Sequence, residues 1–425
     1  MIFQPYARNR SAEIFLLGAE SDVCMTYEMI LDDRVDGDAL QYALDQALRR
    51  LPLMGAAIVL RDGALWYGKN DLPLKILERK VQPVIGGNET NGHLIAVCWH
   101  DQTISFTVHH AITDGVGSIR FLETLLYYYY CRLDGKSYPS DGIYVNDAQN
   151  HPALWADPFE KPFPIEEGEG KADDGGRITD GLELPENRDK SCHIRYCIET
   201  DAEEFMRFVK NMNTTPSAAS ALMMMHGIRK LMPDDPRPVI AKLPVDMRDR
   251  LGFQETMRNC VVMKPLRYLP EEMDSLSFAQ QAERLRETLR KETTEEEIRK
   301  TANGYMGFMH AIGAQGTIEK KRTLLREGRR PDQTTFLLSY IRGYRMNGYA
   351  EHLKGIRTSL LEPFPKLNIT ALEKTFVFEL LQSFPERRYM EAFADQMRAH
   401  GFAVEITEER FELAKADLSC IFGQE

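Results

Sequence analysis

Disulfide-forming cysteine pairs, membrane-length apolar runs and an excess of positive charge are all missing from this sequence. The seven cysteines, an odd number, are Cys24, Cys98, Cys131, Cys192, Cys197, Cys260 and Cys420, and no CxxC pair occurs. That pattern argues against a disulfide framework and against a cysteine-based zinc site, and it fits a reducing compartment. The longest apolar runs fall far short of the ~18 residues that cross a bilayer. Met1 to Gly18 has no apolar core of a secretory leader. A cytoplasmic protein without a membrane span is expected. Fifty-three Lys and Arg stand against 64 Asp and Glu, a net charge of -11. So acidic a chain suits sequence-independent nucleic-acid binding poorly, because that depends on a basic surface. An anionic substrate is not excluded, since a local basic patch can sit on an acidic protein.

What is present is a globular composition, 43% hydrophobic and 28% charged over 425 residues, enough for two domains of about 200 residues each. Residues 24–31 read as a strand. Asp36-Gly37-Asp38 opens a helix whose apolar face is Leu40, Ala43, Leu44, Ala47, Leu48 and Leu51, and Pro52 ends it. Ala56–Leu60 and Ala64–Tyr67 flank a turn at Arg61-Asp62-Gly63, and Leu94–Trp99 pairs with Thr103–His109 in a second hairpin. A helix follows from Gly115 through Tyr130. Residues 136–190 are broken by prolines, and Glu166–Gly176 is acidic and glycine-rich, which suggests an inter-domain crossover with a mobile part. The pattern then restarts with a strand at His193–Ile198 and a helix at Asp201–Lys210. Thr215 caps another helix with Pro216 in its first turn, and Met223–Met225 read as core filler. Val239–Leu243 is a short buried strand, 271–325 is helical, and Thr334–Ser339 and Phe376–Leu381 are strands. Glu391–His400 is an amphipathic helix and Ala403–Ile406 a last edge strand. Strands and helices mix without strict alternation, so the fold class is α/β, as two α+β sandwich domains with mixed sheets. The division falls at 1–190 and 191–425.

The sharpest local feature is His109-His110-Ala111-Ile112-Thr113-Asp114-Gly115. Two histidines close the apolar strand Ile104–Val108, and Gly115 leads into the next helix. An imidazole with a pKa near 6.5 can take a proton from an alcohol or amine and return it. Successive strand side chains point to opposite faces, so one histidine enters an active site while the other is packed beneath it. Spacing alone does not choose between them. Asp114 either orients an imidazole or pins the loop to a distant arginine. A metal site would need three or four ligands, and no third is spaced to help, so no metal is expected.

His109–Gly115 resembles the HHxxxDG motif of the chloramphenicol acetyltransferase-like superfamily, which includes condensation domains, polyketide-associated acyltransferases and alcohol acetyltransferases. Leu48-Arg49-Arg50-Leu51-Pro52-Leu53-Met54 is similar to the family's RHPxL segment, with Leu51 in place of His. Thr215-Pro216-Ser217 resembles the start of a helix in the second half. Pro244-Val245-Asp246-Met247-Arg248 with Arg258-Asn259 resembles the PVDLR…GN region. Leu338 to Gly343 stands where relatives carry SNxG, with Tyr340 in place of Asn. No DFGWG run of the plant branch occurs. The ordered set points to stand-alone alcohol acetyltransferase-like proteins.

The resemblance implies two similar domains in a V-shaped pseudo-dimer, with the active site in a tunnel between them. It implies acyl transfer from a coenzyme A or phosphopantetheine thioester to an alcohol or amine, with His110 as general base and His109 supporting. Asp114 would pair with Arg248 or Arg50, the former favoured, and Asn259 would support the loop. Gly115 would leave space beside the reacting centre. Ser339 or Tyr340 are the candidate oxyanion donors. No permanently bound cofactor is implied, and a monomer is expected. An acyl carrier protein is the alternative donor, and a non-catalytic binding module the alternative to an enzyme.

Overall fold

The computed structural model describes residues 4–18, 23–145, 152–165, 178–327, 332–360 and 363–422. The acidic stretch Glu166–Gly176 expected to be mobile lies outside them. Strands follow in chain order as β1 (Gln4–Arg8), β2 (Cys24–Leu31), β3 (Ala57–Arg61), β4 (Ala64–Lys69), β5 (Leu77–Glu78), β6 (Ile95–His100), β7 (Thr103–His109), β8 (Ile194–Asp201), β9 (Val239–Asp246), β10 (Val261–Tyr268), β11 (Phe336–Ile341), β12 (Leu353–Ser359), β13 (Lys366–Ala371), β14 (Thr375–Gln382) and β15 (Thr407–Arg410). Among the described residues they form three sheets, ordered β12-β2-β7-β6-β5, β10-β9-β11-β13-β14-β8-β15 and β1-β4-β3. The two larger sheets are mixed: β5 runs parallel to β6, and β11 runs parallel to β9 and β13. The fold is thus α/β with mixed sheets.

Local chemistry sets the elements. Asp36 accepts a hydrogen bond from the Ala39 N–H and caps the helix Gly37–Arg50, which buries Leu40, Ala43, Leu44 and Ala47. Asp62 and Gly63 both take positive φ, 51° and 67°, the backbone that a two-residue hairpin with right-twisting strands requires. Thr215 caps the helix Pro216–Leu231, and Met223, Met224 and Met225 are all fully buried. Two large apolar cores result, beside smaller clusters. One lies under the five-stranded sheet with the helices Gly37–Arg50 and Gly115–Asp134. The other lies under the seven-stranded sheet with Pro216–Leu231 and Arg388–Ala399. No disulfide joins the cysteines, and no described helix is long and apolar enough to cross a membrane.

Five strands, β1, β5, β10, β12 and β13, were not expected from the sequence, and two expected ones shift. The strand expected at Val239–Leu243 continues to Asp246 through Pro244. Beyond Lys242, β9 has lost its pairing with β11 and keeps only β10 beside it, so a missing N–H is tolerated. The outermost strand β10 likewise accommodates Pro265. Residues 403–406, expected as the last strand, are irregular, and pairing with β8 starts at Thr407. Val404 and Ile406 pack on the second core, whereas all four side chains of β15 are exposed. Apolar character there marked packing, and the edge strand pairs through its backbone and through Glu409, whose carboxylate accepts from Arg195 of β8 at 2.6 Å.

β12 belongs to the second half of the chain yet pairs with β2 as an edge strand of the first sheet. A buried polar cluster from the seven-stranded sheet grips its end. The Arg195 guanidinium, on β8, donates to the Thr358 carbonyl at 3.2 Å and the Ser359 hydroxyl at 2.7 Å. It stands 3.1 Å from the Glu379 carboxylate of β14 and 3.5 Å from Glu28 of β2. The Thr358 hydroxyl donates to Glu379 at 2.9 Å and accepts from the Asn368 amide at 2.6 Å. Removing Glu379 leaves Arg195 paired with Glu28 and Glu409 but takes the acceptor from the buried Thr358 N–H and hydroxyl, at about 1–3 kcal/mol. Glu379→Ala is therefore expected to lower the urea-unfolding free energy by that order. A change under 1 kcal/mol would show that the cluster does not hold the sheets together.

Candidate active site

β7 ends at His109, which is fully buried and whose Nδ1 accepts the Ala111 N–H at 3.1 Å. His110 keeps some accessible surface, and its ring lies flat on Phe15, with centroids 4.2 Å apart and planes 10° from parallel. The two histidines thus divide as strand geometry demands, one packed and one reachable.

Residues far apart in sequence then hold the loop after β7, one group at a time. The His110 carbonyl accepts from the Asn259 amide at 2.9 Å, the Ala111 carbonyl from the Asn9 amide at 2.8 Å, and the Ile112 carbonyl from the Tyr67 hydroxyl at 2.9 Å. The Thr113 hydroxyl donates to the Met257 carbonyl at 2.5 Å. Asn9, Tyr67 and Phe15 escape sequence reading because each sits in an apolar or polar context that gives no pattern of its own.

Asp114 is 1% exposed and caps the helix Gly115–Asp134. Its Oδ1 accepts from the Gly117 N–H at 3.0 Å and from Arg248 Nη2 at 2.9 Å, and its Oδ2 from the Cys260 N–H at 2.8 Å. Burial alone would raise its pKa. The Arg248 charge and these hydrogen bonds outweigh that and hold the carboxyl below its usual range. Arg248, itself 1% exposed, spends its remaining donors on the Thr256 carbonyl, the Arg258 carbonyl and Asp246. Arg50 is elsewhere: its guanidinium lies 5.3 Å over the Tyr144 ring.

The His110 imidazole is held below the usual imidazole pKa, chiefly by burial. The Lys366 charge adds to this, while the residue's own backbone carbonyl, Asp114 and Asn259 oppose it. The ring is therefore neutral at pH 7. Its Nδ1 is enclosed and receives no hydrogen bond, which leaves Nε2 as the atom available for proton transfer.

Gly115 has room for a side chain, since an added Cβ would meet only the Tyr27 hydroxyl at 3.7 Å. Gly117 is the position that must be bare: a Cβ there would come within 2.0 Å of the Thr113 hydroxyl and 2.8 Å of the Met257 carbonyl. On β11, Tyr340 packs toward Phe376 in the second core. Ser339 points to the opposite face and pairs in register with Asn368, whose amide reaches Thr358 between the sheets. Among the described residues, no group of three or more His, Cys, Asp or Glu could hold a metal ion.

No protein-family model and no curated protein matches the sequence. Solved structures do match the fold. Polyketide synthase associated protein 5 from Mycobacterium tuberculosis superposes with a TM-score of 0.60 at 13% identity, over 93% of this chain and 98% of that one. F. graminearum TRI101, solved with coenzyme A and deoxynivalenol, gives 0.61 at 12% identity, over 95% and 99%. The condensation domain of the monacolin K polyketide synthase MokA gives 0.59 at 12% identity, over 94% and 96%. The chain therefore shares the fold of these structures, in line with the fold that the resemblance of its ordered motifs implied.

Proposed function

We propose that this protein is an acyltransferase that moves an acyl group from a coenzyme A thioester to an alcohol or amine acceptor. The observation that carries the reading is the assembled loop: a neutral, reachable His110 on a segment whose carbonyls and Asp114 are each held by a group from elsewhere in the chain. Neighbours of the same fold solved with coenzyme A support a free thioester as donor. An acyl carrier protein would present the same phosphopantetheine arm.

In this reaction Nε2 of His110 takes the proton of the acceptor hydroxyl or amine as its oxygen or nitrogen attacks the thioester carbonyl. The tetrahedral oxyanion collapses, the C–S bond breaks, and the departing thiolate takes the proton back from the imidazolium. His110 ends neutral and no covalent enzyme intermediate forms. Ser339, on the face of β11 turned away from the second core, is the favoured donor to the oxyanion. Asp114 and Arg248 act through the loop.

His110→Ala is expected to lower kcat/KM by about 10²–10⁴-fold in an assay of free thiol released from acyl-CoA in the presence of alcohols and amines. An unchanged rate would remove the mechanism. Because burial lowers the His110 pKa, the acid limb of the wild-type rate profile should lie below pH 6.5.

Two glycine variants separate space for substrate from space for packing. Gly117→Ala should cost about 1–3 kcal/mol of stability through overpacking. Gly115→Ala should fold as stably as wild type and lose activity, because its Cβ enters the space reserved for reactants. Full activity in Gly115→Ala would mean that the reacting groups lie elsewhere.

Asp114→Asn keeps a helix cap but loses a charge-assisted bond worth about 1.5–3 kcal/mol. The wild-type carboxyl has a depressed folded pKa. Its contribution is therefore complete above the unfolded value of about 3.9 and is lost as pH falls through the folded value. Denaturant curves from pH 7 down to pH 2 should show the two proteins converging at the acid end.

A further inference from the structure

The helix Arg10–Leu17 lies over the catalytic loop and is fixed from both sides. At its start, Asn9 accepts the Ala12 N–H at 3.0 Å and donates to the Ala111 carbonyl at 2.8 Å. On its other side, the buried Glu13 carboxylate accepts from the Lys321 ammonium at 2.7 Å, with both side chains 1–2% exposed. Two residues further on, Phe15 places its ring parallel to that of His110.

Imidazole rotation about the second side-chain torsion is soft, because sp³–sp² torsions have broad minima. In His109 the Ala111 N–H restrains that rotation. In His110 no well-formed hydrogen bond reaches Nδ1, and only weaker contacts with its own backbone carbonyl and the Asn259 side chain bear on the ring, so the ring plane depends largely on packing. The near-parallel aromatic contact at 4.2 Å is the contact that defines it.

We infer that Phe15 is a positioning residue for His110: its ring fixes the imidazole plane and closes one face, which sets the direction in which Nε2 points toward an acceptor. This rests on the reading of His110 as the general base. It assigns a role in catalysis to a helix that the HHxxxDG motif does not include. The charged and polar groups bearing on the imidazole from other elements are Asp114, Lys366 and Asn259. Glu13, on the helix of Phe15, is already committed to Lys321.

The test uses the full chain with Phe15→Ala, Phe15→Leu and Phe15→Tyr. Two readouts are taken, the kcat and KM of acyl transfer and the NMR titration of the His110 imidazole without substrate. In Phe15→Ala, kcat should fall ten- to a hundredfold, the scale of loss from misplaced catalytic groups. The KM for acyl-CoA should hold within about twofold, as expected when only transition-state alignment is lost. The His110 pKa should rise toward 6.5 as water reaches the uncovered face. Phe15→Leu covers the face without flattening it, so it should keep the low pKa and still lose kcat, and it retains core volume if the alanine variant folds poorly. Phe15→Tyr should restore both readouts. An unchanged pKa and kcat in Phe15→Ala, or a tyrosine variant as impaired as alanine, would overturn the inference. A wild-type protein without transferase activity whose His110 titration still shifts in Phe15→Ala would sink the proposed function and leave the ring contact standing.

Discussion

A guanidinium and a carboxylate withdrawn from water tie the two halves of the chain at one point. Asp114 belongs to the loop that follows β7 in the first sheet, and Arg248 to the turn that follows β9 in the second. Burying either charge alone would cost several kcal/mol. The pair persists because almost every remaining valence is met. Arg248 donates to two carbonyls and to Asp246, and Asp114 accepts from two backbone N–H groups. The segment that supplies the Cys260 N–H also supplies the Asn259 amide that holds the His110 carbonyl. Loop, helix start and second sheet are therefore positioned by one network, and the imidazole inherits its place from it.

Around that point the molecule separates two kinds of interior. Each sheet turns one face to an apolar core. The faces turned toward each other carry Arg195, Glu28, Glu379, Thr358 and Asn368, all hydrogen-bonded or ion-paired across the boundary. His110, at the end of the first sheet's β7, stays neutral because it is enclosed and keeps part of its surface accessible.

Helices with strong caps and periodic apolar faces were legible in the sequence: Asp36 before Gly37–Arg50 and Thr215 before Pro216–Leu231 start the helices expected of them. The segment His109–Gly115 stood out in the sequence because its residue types carry chemistry. What stayed hidden depends on partners far along the chain. Leu353–Ser359 contains glycine, lysine and arginine and does not alternate, and it becomes a strand because β2 offers an edge. Asn9 drew no expectation from the sequence, and only the fold shows it capping Arg10–Leu17 and bringing its amide to the Ala111 carbonyl. Phe15 stands in a short helix that the sequence did not announce, and its meaning comes from the ring it touches. Sequence proximity could not place Asp114 beside Arg248 either; the family pattern did, and Arg50 was an equally charged alternative.

The strand lent by the second half to the first sheet also has a consequence in time. β2 pairs with β7 on one side and with β12 on the other. During synthesis the first seven strands leave the ribosome with that outer edge of β2 uncovered. At about 5–20 residues per second, tens of seconds pass before the strand that closes it is made. The newborn first half is thus a sheet with an adhesive border, open to pairing with neighbouring chains. Its safe maturation in a crowded cell depends on how long that border stays covered by something else.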